Sequence, residues 1–189
     1  GLFRIRQPDI RRSCWVNFLF SLSFAGMEFT LTFLAVERFN YTTMDNGLMF
    51  VFIGFWLIIT QGGIVRRLAP KLGEKKLSLG GVISAAIAFG LIAAIATQSV
   101  FFVALALLSI GAGLVFPSLS ALTSLYADPS EQGRFLGIYR SAGALARALG
   151  PLLAAMVYFH FGANTSYASG ALFLILPLLI GLKLRQPKK

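Results

Sequence analysis

The chain has 189 residues, 57% of them hydrophobic and only 13% charged, with a formal net charge of +10. So few charges cannot solvate that much apolar surface, so the composition excludes an ordinary water-soluble domain. The basic excess does not point to nucleic acid, because the cations fall in short clusters between long apolar runs.

Residues 1–14 read as a basic lead-in that carries Arg4, Arg6, Arg11 and Arg12. With Gly1 first and no cleavable-signal pattern behind it, the chain reads as a piece of a longer one. Six apolar stretches follow, near 15–35, 47–65, 77–96, 100–126, 135–159 and 166–184. Each approaches the roughly 20 residues a helix needs to cross a bilayer. Their Gly, Ala, Leu and Phe content, without two-residue alternation, predicts helices rather than barrel strands. Residues 185–189 form a short basic tail. The expected fold is an all-α membrane protein, a bundle of six transmembrane helices over 15–184.

The first span carries Asn17, Ser21, Ala25, Glu28 and Thr32 at helical spacing, which makes a polar stripe. The second places Gly47, Gly54 and Gln61 seven apart; Gln61 suits either a helix–helix hydrogen bond or a site. After it comes a basic loop with Arg66, Arg67, Lys71, Lys75 and Lys76. The fourth span aligns Gly113, Pro117, Ser120 and Ser124 on one face, as in a proline-broken cavity wall or a packing kink. Cys14, the only cysteine, excludes an internal disulfide.

The fifth span holds Arg140 and Arg147 inside an apolar run. An arginine near mid-membrane costs roughly 2.5–3.5 kcal/mol on insertion scales, so these two need compensation. Seven residues apart, they share a face about 10 Å apart along the axis. Gly143, Ala144, Gly150 and Ala154 are expected on that stripe, and Ile138, Leu145, Leu149, Leu152 and Met156 on the other side. The arginine stripe is expected to face protein or a wet cavity. Gly150-Pro151 is expected to interrupt the helix.

The loops on the N-terminal side hold fourteen of the seventeen lysines and arginines, and those on the other side hold only Arg38. This bias places both termini in the cytoplasm. It also runs the first and fifth spans in the same direction. Glu28 and Arg147 are then expected at similar depth, with Glu28 or an anionic ligand compensating the arginines. Ser141 has no plausible base nearby, and His160 stands at a span end without clustered ligands. No catalytic residue, metal or cofactor is therefore expected.

"GGIVRRLAPKLGEKKLSLGG" (Gly62 to Gly81) resembles the basic loop between the second and third helices of a major facilitator superfamily half. Glycines, Arg66, Arg67, Gly73, Lys75 and Lys76 match the loop; the usual acid is replaced by Arg66 or Arg67. "RSAGALARALGP" (Arg140 to Pro151) and "GMEFTLTFLAVERF" (Gly26 to Phe39) resemble the C-terminal half of its tetracycline-transporter-like branch. The resemblance covers essentially the whole chain and implies helices seven to twelve of a twelve-helix transporter. By it, the first and fourth spans line a cavity, the second and fifth face the missing N-terminal half, and the third and sixth are peripheral. It further implies a multi-pass protein of the cell (inner) membrane that moves a small organic solute by alternating access, as proton-coupled efflux. Glu28, Arg140, Arg147, Asn17, Gln61 and Ser120 would then serve substrate or coupling, and Arg66, Arg67, Gly73, Pro117, Gly150 and Pro151 gating or hinges. Two alternatives stand beside this reading: a six-helix channel or assembly subunit, and a transporter that is uncoupled or driven by sodium.

Overall fold

The computed structural model describes residues 5–94 and 97–187. Arg4, Lys188 and Lys189, counted above with the basic residues, and Ala96, the expected end of the third span, lie outside the described residues. Helix α1 (Pro8–Phe39) opens with Pro8 inside its first turn, where a missing N–H costs nothing. Asp9 pairs with Arg12 at 3.1 Å within that turn. The helix ends at Asn40, whose left-handed backbone (φ 53°) returns its N–H to Val36 O at 3.0 Å. A capping box starts α2 (Thr43–Ile59): Thr42 N–H donates to Asp45 Oδ2 at 2.9 Å, and Asp45 N–H donates to Thr42 Oγ1 at 3.3 Å. A π-helical segment, Thr60–Val65, joins α2 to the short α3 (Arg66–Leu72). Then come α4 (Glu74–Ala94), α5 (Gln98–Tyr126), α6 (Gln132–Phe173) and α7 (Ile175–Leu182), with no strand among the described residues.

Five helical stretches are long and apolar enough to cross a membrane. The last, Gln132–Leu182, has 51 residues, about 77 Å of helix, against a hydrocarbon core of about 30 Å. Gly162 divides it with a non-helical backbone, φ 82° and ψ 166°. Before that point α6 runs alongside α1 in the same direction, with Tyr139 beside Asn17 and Tyr158 beside Glu37. Beyond it the direction reverses: Tyr167 meets Thr30, and Lys183 meets Arg12. The stretch therefore crosses twice, and the fold is a bundle of six crossings.

The expected break at Gly150-Pro151 does not occur, and α5 is also unbroken at Pro117. Each proline removes a single donor, a loss a long membrane helix tolerates without ending. The fifth crossing turns back at Gly162 instead.

Small residues set the two closest helix pairs. A Cβ added to Gly150 would fall 2.5 Å from Leu22 O, and one added to Gly26 would fall 2.7 Å from Ala154 Cβ. Gly81 and Gly111 bring α4 against α5 in the same way. Between these pairs lies a core of Phe20, Leu31, Leu105, Leu108, Leu119 and Leu122, each at most 1% exposed. At the end opposite the basic loops, Arg38 ties three helices by donating to Ile92 O at 2.6 Å and to Asn164 Oδ1.

Candidate functional site

The ascending arm of α6 buries Tyr139, Ala142, Gly143, Ala146 and Gly150 as one line against the bundle. Arg140, Ala144 and Arg147 are exposed. At about 100° per residue the arginines lie about a quarter turn to one side of that line. Leu145, Leu149, Leu152 and Met156, between 38% and 64% exposed, lie on the other side. Gly143 and Gly150 thus belong to the helix contact, displaced from the stripe they were expected to share with the arginines. Next to the leucine flank, Leu153 and Val157 help line a crevice of about 210 Å³, with Gly26 of α1 and Tyr167 and Phe173 of the descending arm. Gly150 and Ala154 line the same crevice, Ala154 on the arginine side, so it faces the buried line of α6 rather than either flank.

On α1, Asn17 and Ser21 are buried beside the arginine flank. Asn17 Nδ2 donates to Tyr139 O at 3.0 Å, and Ser21 Oγ donates to Asn17 Oδ1 at 3.4 Å. Arg147 folds back over Gly143: a Cβ there would lie 2.9 Å from Asn17 Nδ2 and 3.4 Å from Arg147 Nη1. Glu28 and Thr32 continue the same α1 stripe at the surface of the bundle. Asn17 and Arg147 thus meet over Gly143, while Arg140 and Glu28 are exposed on α6 and α1.

The expected match in depth between Glu28 and Arg147 is corrected by the register. Gly26 lies against Gly150 and Ala154, and Asn17 against Gly143. Arg147 is then level with Ser21, and Glu28 with Ala154, about 10 Å further along the axis. Glu28 makes no ion pair with either arginine among the described residues. The glycine contact fixes the offset, and spacing within each helix carries no information about it.

The other expected residues fall elsewhere. Gln61 is exposed on the π-helical segment, whose helix leans chiefly on α5, away from the arginine flank. Ser120 and Pro117 are half-buried on α5. Arg66 and Arg67 stand exposed on α3, which buries none of its residues, and Gly73 follows it. Sequence reasoning missed Tyr139, whose hydroxyl donates to Phe116 O at 3.3 Å and links α6 to α5. It also missed Gly26 as the partner of Gly150; two glycines in separate spans of like direction were the available signal.

Comparison with known proteins agrees with this architecture. The sequence profile of the Major Facilitator Superfamily matches residues 18–189, and the chain belongs to that family, one of transporters and not of enzymes. Major facilitator superfamily domain-containing protein 10 of Mus musculus is 37% identical over 183 residues, covering 96% of this chain and 40% of the relative. The class B tetracycline resistance protein of Escherichia coli is 32% identical over 124 residues, covering 66% of this chain and 31% of the relative. The crystal structure of the human organic anion transporter MFSD10 (TETRAN) superposes with a TM-score of 0.85 at 34% identity, over 91% of this chain and 40% of that one. The POT family transporter PepTSo shares the fold at a TM-score of 0.81 and 14% identity, over 98% of this chain and 40% of that one. The chain thus spans about 40% of the length of the mammalian relatives it matches.

Proposed function

We propose that this member of the Major Facilitator Superfamily is the C-terminal six-helix half of a secondary transporter that moves a small organic anion by alternating access. One observation carries the reading. Arg140 and Arg147 occupy one exposed flank of α6, Arg147 beside Asn17 of α1, with no carboxylate partner among the described residues. Two guanidiniums that cannot lose their charge need an anion or water there, and a passing anionic solute supplies that charge. The similarity to a human organic anion transporter supports the substrate class.

The missing N-terminal half has a place to dock. Met44, Leu48, Val51, Phe55 and Ile58 form a stripe along α2 at alternating spacings of four and three residues, and each is between 57% and 75% exposed. That pattern suits a second helix laid along it, and Gly47 and Gly54 beside it permit close approach. The bundle would rock against that half, with lipid around the outer helices and Arg66 and Arg67 at the gate. The basic loops put both termini in the cytoplasm of a cell carrying the protein in its cell (inner) membrane. Glu28, exposed on α1 and without an arginine partner among the described residues, serves as the proton carrier, with the solute leaving as protons move inward.

The test is transport of a small panel of organic anions and cations by the full-length protein in liposomes, with and without a proton gradient. Anion transport driven by the gradient is the expected result. Cation preference, or equal rates without a gradient, would contradict the corresponding part of the reading.

A further inference from the structure

The segment after α7 does not trail away from the bundle. Three carbonyls, one at the end of α7 and two just beyond it, each receive a donor from a different helix. Leu182 O accepts from Lys75 Nζ at 2.9 Å, Lys183 O from Arg12 Nη1 at 3.0 Å, and Arg185 O from the Tyr126 hydroxyl. Leu184, between them, is 2% exposed. Gln186 then folds onto the turn between α3 and α4. Its Oε1 accepts from Lys75 N–H at 3.0 Å, and its Nε2 donates to Glu74 Oε2 at 3.0 Å. An amide suits both partners at once, because it presents an acceptor to the backbone and a donor to the carboxylate.

Gly73 completes the joint. Its backbone is at φ 81° and ψ 154°, a region that side chains disfavour. A Cβ at this position would lie 2.7 Å from Gln186 Cδ. Glycine is therefore required twice, for the turn and for the space the amide occupies. The joint matters because α3, with Arg66, Arg67 and Lys71, buries no residue of its own. Above it, a Cβ at Gly62 or Gly63 would meet nothing within 4 Å. Little besides its two ends holds this basic helix.

We propose that Lys183–Gln186 is a clasp that locks the Gly73 turn to the ends of α1, α5 and α7. With it closed, the basic end of the six-helix unit moves as one body and α3 keeps its position. With it open, α3 swings on the π-helical segment.

The test is timed trypsin digestion of the purified full-length protein, following cleavage after Lys71 and after Lys183. Gln186→Ala removes both amide bonds from an exposed position, so the bundle should still fold. Proteolysis follows the population of the open state, and losing two such bonds should raise cleavage at both sites by about fivefold or more. Gln186→Glu, which sets a carboxylate against Glu74, should act in the same direction. Parallel acceleration at both sites supports the clasp. Unchanged cleavage after Lys71, whether or not cleavage after Lys183 rises, overturns it.

Discussion

The contact between α1 and α6 and the contact between α2 and α5 both place a glycine against a neighbour, yet their polar groups are treated differently. In the first, Gly26 and Gly150 interlock, Asn17 bonds to Tyr139 O, and Thr30 Oγ1 donates to the Tyr167 hydroxyl at 3.2 Å. In the second, Thr60, where α2 passes into the π-helical segment, covers Gly113, while Thr60 Oγ1 and Trp56 Nε1 are buried without a partner among the described residues. The helix changes to π-helical bonding at that same residue. Ser23 Oγ beside the first contact is also buried without a partner among the described residues, so the interlocked glycines set its fixed register, which is what a charged site needs. A contact with orphaned polar atoms and an irregular turn costs less to repack, which suits a helix that must shift against a partner.

The largest expected effect comes from breaking the fixed contact. Gly150→Leu drives a side chain into the α1 backbone and should destabilise the bundle by about 3 kcal/mol or more. Gly90→Leu on α4, where a Cβ would meet nothing within 4 Å, should leave stability within about 0.5 kcal/mol. Thermal unfolding of the two variants in detergent reads the difference, and equal losses would erase the contrast. Next comes Arg147→Leu. It sits at the surface of the bundle, so the protein should fold normally while anion transport falls about tenfold, the value of one lost charge-assisted bond. Glu28→Gln should keep binding but uncouple it, so that a proton gradient no longer drives accumulation; unchanged drive would remove Glu28 from the coupling role. The smallest effect is Thr60→Val, which deletes an unpaired buried hydroxyl at nearly constant volume and should stabilise the protein by about 1 kcal/mol. A loss of stability there would mean that the hydroxyl has a partner.

Much of the architecture was legible in the residues. Apolar runs whose alternate connecting loops carry nearly all the basic residues are what the bilayer demands of a multi-pass chain, and six crossings follow from them. The helix ends were less so: α1 extends through Pro8–Phe39, well past its apolar centre, because caps rather than hydropathy end a helix. The site was half legible. The Arg140–Arg147 face and the Asn17–Thr32 stripe are properties of single helices, and periodicity reveals them. The register between the helices depends on which glycines meet, and Glu28 and Arg147 therefore fall at different depths. The Gln186 joint left no periodic trace, since one amide in a short irregular segment resembles any other.

If the arginine flank of α6 lines a wet solute path, water reaches position 147 but not position 152 on the opposite flank. Single cysteines at Arg147 and Leu152, in full-length protein with Cys14 replaced by serine, test it through reaction with a water-soluble methanethiosulfonate. Labelling of Arg147→Cys should be fast and slowed by a transported anion, and Leu152→Cys should stay unlabelled. An inert cysteine at 147 beside a reactive one at 152 would contradict it.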